Sequence, residues 1–152
     1  MSKHTFHPTQ VAYFAAVALA ELTSAELKPM ESDFDALLDA HLNALGMGYM
    51  FDDVDQDAER AETAAFFAAY AAANPVQDAA RKAAIDADNR AQDAKRAAEI
   101  ALVEWSCGVA RKAARTHYER ESIGVCEGLK AQPWRRPAQW KILVETACRL
   151  AA

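Results

Sequence analysis

Glycine and proline are scarce in this 152-residue chain, five of each, and cysteine is scarcer still at three. Strand signals are missing as well. No run alternates Val, Ile, Thr and aromatics with polar residues, which excludes a sheet-based architecture. Cys107, Cys126 and Cys148 are odd in number and form no CxxC pair. A disulfide framework is therefore not expected, and a reducing cytoplasm is the natural setting. No apolar run is long enough to span a bilayer. The longest, Val11 to Ala20, ends in Ala18-Leu19-Ala20 with Lys3 upstream, and so faintly resembles a secretory signal. A single Lys makes a poor basic region, however, and Pro8 reads better as the first residue of a helix. The segment is read as a buried core helix.

Catalytic and metal-binding patterns are absent too. Nothing has the form of a P-loop, a GxSxG elbow or a GxGxxG turn. His4, His7, His41 and His117 are scattered, without a second His or Cys at ligand spacing. His41 reads as a satisfied core histidine on an apolar stripe. Asp53, Asp55 and Asp57 match the start of an EF-hand loop, but Ala58 stands where the turn glycine belongs and Ala64 where the bidentate glutamate belongs. No enzyme activity, cofactor or metal is expected.

What the chain has in abundance is alanine, 36 residues of it. Alanine loses no side-chain entropy in a helix and is the best helix former. Hydrophobic residues make up 52% and charged residues 26%, a globular balance. The expected architecture is all-α, a single domain over residues 1–152 built as a bundle of four to five helices. The first helix runs from Pro8 to about Leu22, with His7 at its N-cap, and Pro29 stops a short following turn. A second starts at Ser32 or Asp33. Its inner stripe is Phe34, Leu37, Leu38, His41, Leu42 and Leu45, and Gly46 and Gly48 end it. A third covers about 55–73 and closes at Asn74-Pro75. A long fourth covers about 76–121. Unbroken, it would measure about 69 Å, against a radius of gyration of about 15 Å for a compact domain of this size. It must either bend near Ser106-Cys107-Gly108 or project and find a partner. Pro137 opens a last helix through Leu150.

Three features point outward. The first is a seam of Ala80, Ala84, Ala87, Ala91, Ala94, Ala98 and Ala101, spaced alternately four and three apart, with Trp105 continuing the register. Ala58, Ala61, Ala65, Ala68 and Ala72 repeat it on the preceding helix. Three readings follow: the helices over 55–73 and 76–121 pair as a hairpin, Ala stripe on Ala stripe; or the longer stripe meets its copy in a homodimer; or the helix is Ala-rich and solvent-exposed with chance periodicity. Trp105 is expected in the core, where the long helix meets the last one. The second feature is an acidic surface, Asp52, Asp53, Asp55 and Asp57. The third is a basic one, Arg111, Lys112, Arg115, Arg135 and Arg136. They reflect a wider asymmetry. Residues 1–74 carry twelve acids against three bases, net −9, and residues 75–152 carry fourteen bases against ten acids, net +4.

Together these imply a non-enzymatic helical protein–protein interaction module, homo-oligomeric, with a protein partner and no membrane. One alternative is a small acidic inhibitor or decoy that docks on a nucleic-acid-handling complex, of the size and character of a phage or mobile-element anti-defence protein. Another is a nucleic-acid-binding accessory protein that uses the basic C-terminal part.

Overall fold

The computed structural model describes residues 6–47, 55–113, 120, 123–124 and 141–147. Among them the chain is all-α: helices α1 (Pro8–Ala44), α2 (Gln56–Ala73) and α3 (Pro75–Ala113), a helical segment over 141–147, and no strand.

Local chemistry accounts for the ends of these helices. At the start of α1, the Gln10 side chain accepts from the His7 backbone N–H at 2.7 Å, and His7 Nδ1 accepts from the Thr9 N–H at 3.3 Å. This is the reciprocal capping that His7 and Pro8 suggest. At its end, Gly46 adopts φ +70°, the Met47 N–H donates to the Leu42 carbonyl at 2.8 Å, and the Gly46 N–H donates to the Asn43 carbonyl at 3.1 Å. That pair of bonds closes the last turn around a left-handed glycine. Asp55 caps α2 by accepting from the Asp57 and Ala58 N–H groups at 2.9 and 3.3 Å. Asn74 ends α2 on the Tyr70 carbonyl, and its own carbonyl accepts the Asp78 N–H as α3 begins.

One boundary differs from the sequence-based expectation. The helices expected at 8–22 and from 32 onward are a single helix, with Pro29 inside it. An interior proline removes one backbone bond and crowds the carbonyl four residues back. Contacts to α3 on both sides of Pro29 offset that cost. Before it, the Thr23 and Ser24 hydroxyls donate to Asp88 Oδ1 at 2.9 and 2.7 Å. After it, Glu31 takes the Arg81 guanidinium at 3.3 Å, and that guanidinium lies 4.0 Å over the Phe34 ring. Helix α3 is likewise continuous through Ser106, Cys107 and Gly108, so no break occurs there. Gly108 is exposed, where a helical glycine costs about 1 kcal/mol but displaces nothing.

The chain divides into two compact units, Glu21–Arg90 and the pair of segments Met1–Ala20 and Ala91–Ala152. In the first, the hydroxyl and guanidinium contacts above set α1 antiparallel to α3. Helix α2 runs antiparallel to α1 along an aromatic cluster. Phe34, only 3% exposed, meets Phe66 at 5.6 Å, Phe67 at 4.9 Å and Tyr70 at 5.0 Å. The second unit has a core of Val103, Cys107, Ala110, Ile123 and Leu143. Ser106 is fully buried there, its hydroxyl donating to the Leu102 carbonyl at 2.7 Å.

Candidate functional site

The alanine seam does not stay on one face of α3. Ala91 is buried, Ala84, Ala87, Ala98 and Trp105 are half-buried, and Ala80, Ala94 and Ala101 are exposed. Besides Ala91, the buried residues of α3 are Asp78 and Arg81 in the first unit, and Leu102, Val103, Ser106, Cys107 and Ala110 in the second. Ala80, the first residue of the seam, is already exposed, and Ala94 is exposed between buried Ala91 and half-buried Ala98, so the seam runs along the margin of the packed side and not along its centre. The matching stripe on α2 fares no better: Ala61, Ala65, Ala68 and Ala72 are exposed, and α2 buries no residue fully. Phe66, Phe67 and Tyr70 make its contacts, so the expected pairing of Ala stripe with Ala stripe does not form. Aromatic rings bury far more area than methyl groups, and it is the rings that set the packing face.

Trp105 is half-buried. Its ring stacks on His7 at 4.5 Å and 19°. Leu143 of the last helical segment shares a buried cluster with Val103, Cys107, Ala110 and Ile123, while Ile142 is 64% exposed.

Of the acidic surface, Asp55 and Asp57 are exposed on α2, Asp55 as its cap and Asp57 paired with Arg60 at 3.3 Å. Asp52 and Asp53 lie outside the described residues. In the same unit, a shallow groove is lined by Lys28, Glu31, Asp35 and Asp39 of α1 and Asp88 of α3. The unit Glu21–Arg90 holds fifteen acids and five bases, net −10. The other holds seven acids and twelve bases, net +5. Charge thus segregates by structural unit more sharply than by chain half. Of the basic surface, Arg111 and Lys112 are exposed in the last turn of α3, a placement the helix dipole favours. Arg115, Arg135 and Arg136 lie outside the described residues.

The buried polar groups serve packing. Arg81 is 9% exposed and lies over Phe34 and also over Phe67, at 5.6 Å. Asp78, beside it at 7%, pairs with Lys82 at 2.6 Å. His41 is not the satisfied histidine expected. Its Nε2 is shielded from solvent with no hydrogen bond and stands 3.8 Å from the Glu62 carboxylate, and its ring lies 5.1 Å from Phe66. In the other unit, burial pushes the Glu99 carboxyl above its usual range, while Lys95 and Arg96 pull it back. Burial also raises the Tyr13 phenol, and the Glu99 charge raises it further. Among the described residues no group of His, Cys, Asp and Glu could hold a metal ion, and no helix is long and apolar enough to cross a membrane.

The surface that sequence reasoning missed is on α1. Its N-terminal part was expected inside the core. Yet Val11 is 54% exposed, Phe14 55% and Leu19 49%, with Ala15 and Ala18 exposed beside them. All-round apolarity reads the same whether a helix is enclosed or leaves one face for a partner. No family model matches the chain, and no curated protein or solved structure matches it either.

Proposed function

We propose that this chain is a non-enzymatic helical module that acts by binding protein, and that the exposed apolar face near the start of α1 is its contact surface. The exposure of Val11, Phe14 and Leu19 carries this reading. Apolar surface left in water forgoes about 25 cal/mol per Å², and contiguous patches of it mark interaction sites. The experiment is site-specific photo-crosslinking in cells. A benzophenone side chain in place of Phe14 should yield adducts with protein, absent when the same group replaces exposed Lys112 and suppressed by Ala15→Glu. No adduct from position 14 removes this reading.

A second reading has its own support. The net charge of −10 on residues 21–90 suits docking on a basic, nucleic-acid-binding surface, as an inhibitor or decoy would. If so, the chain displaces DNA from a purified nucleic-acid-handling complex, and Asp35→Lys with Asp39→Lys slows association most at low salt. Displacement that ignores both charge reversals and salt would remove it.

A further inference from the structure

The α1 face has a second property that names its occupant. We propose that it docks a second copy of this chain, antiparallel, about a two-fold axis between Phe14 and Ala15. The inference rests on the reading that this face binds protein, and adds which protein. From Pro8 to Ala20 there is no charged side chain, in a chain that carries 39 of them. Two copies can therefore meet here without bringing like charges together. Val11, Phe14, Ala15 and Ala18 follow helical spacing and all are exposed. About the proposed axis, Val11 faces the partner's Ala18 and Phe14 faces the partner's Ala15. In both of these pairs a large side chain meets a small one, and one symmetry operation satisfies both copies. A parallel pair would set Phe14 against Phe14 and leave the alanines facing gaps.

Charge supports the same direction. The Gln10 and His7 side chains that cap α1 are polar but not acidic, and its first turn contains no acidic residue, so the positive end of its dipole meets no negative charge of its own. Glu21 is the first charge after the face. In the antiparallel pair it falls level with the partner's Pro8, at that helix N-terminus. In a parallel pair it would lie beside its own copy.

The test is sedimentation equilibrium on the full chain from about 1 to 100 μM, a range in which a specific dimer of modest affinity dissociates. A dimer is expected. Ala15→Glu should make it monomeric with its circular dichroism unchanged, because Ala15 is exposed in the single chain. Glu21→Lys should weaken dimerisation about fivefold, more at low salt. A monomer at every concentration overturns the proposal, as does a dimer indifferent to both Ala15→Glu and Ala18→Glu. A dimer lost with Ala15→Glu but indifferent to Glu21→Lys overturns the antiparallel sense. A monomer that still crosslinks another protein through position 14 ends this inference and leaves the interaction reading standing, whereas absence of both ends both.

Discussion

The Arg81 guanidinium holds the Glu31 carboxylate and lies over the Phe34 and Phe67 rings, so truncating it removes an ion pair, a cation–π contact and a buried stem together. Arg81→Ala should cost about 2–3 kcal/mol in urea denaturation. Arg81→Met, which restores the stem, should recover roughly half of that loss. Equal costs for the two would mean that charge, not packing, dominates. Nothing in the sequence marks Arg81, because one base among the charges of a helix reads as a wet face, and its partners lie some distance away in the chain. Glu99 gives a second prediction, with the opposite sign to an ordinary ion-paired acid. Its carboxyl is raised by burial, so the fold favours the protonated form. The stability it contributes is fully present below the ordinary glutamate range and is lost as pH rises through the raised value. Glu99→Gln should therefore raise Tm at pH 7 by a small amount, on the order of 1–2 °C given its partial exposure. That advantage should vanish near pH 4. An advantage that grew on acidification would contradict the assignment.

Helical periodicity along α2 and α3 was legible because alanine, capping residues and Pro75 all act within a few residues of chain. The direction in which each helix packs was not. Ala91 and Ala94 both belong to the alanine seam, yet one is buried at 3% and the other exposed. Ala91→Leu should thus cost about 1–3 kcal/mol through overpacking, and Ala94→Leu should lie within about 0.5 kcal/mol of the native chain. Similar costs at both would restore the continuous seam. Pro29 is the converse case, a strong local stop signal overridden by contacts on either side. Pro29→Ala should return the missing backbone bond and stabilise the chain by about 1–3 kcal/mol, less what the more flexible unfolded chain regains. A loss of stability on that change would show that the proline ring itself makes a needed contact.

Hydrogen exchange compares the stability of the two units. Residues 21–90 carry net −10 and include α2, which has no fully buried residue. Their amides should exchange faster than those of Leu102 to Ala110. Raising NaCl from about 20 to about 300 mM shortens the screening length to a few ångströms, which relieves like-charge repulsion. Exchange in α2 should slow accordingly, and in Leu102 to Ala110 change less. A uniform response across both regions would mean that the charge segregation has no energetic effect. By itself the sequence determined the all-α class, the cap at His7, the glycine stop at Gly46, the extent of α2 and the charge asymmetry. Each depends on propensities and backbone bonds that operate within a turn or two, or on composition alone. Only the tertiary structure decided that Pro29 lies inside a helix, that rings rather than alanines join α2 to α1, that Trp105 stacks on His7, and that Val11 and Phe14 face water. Each of those outcomes is a competition between surfaces distant in the chain, and burial goes to whichever pairing removes the most apolar area from water.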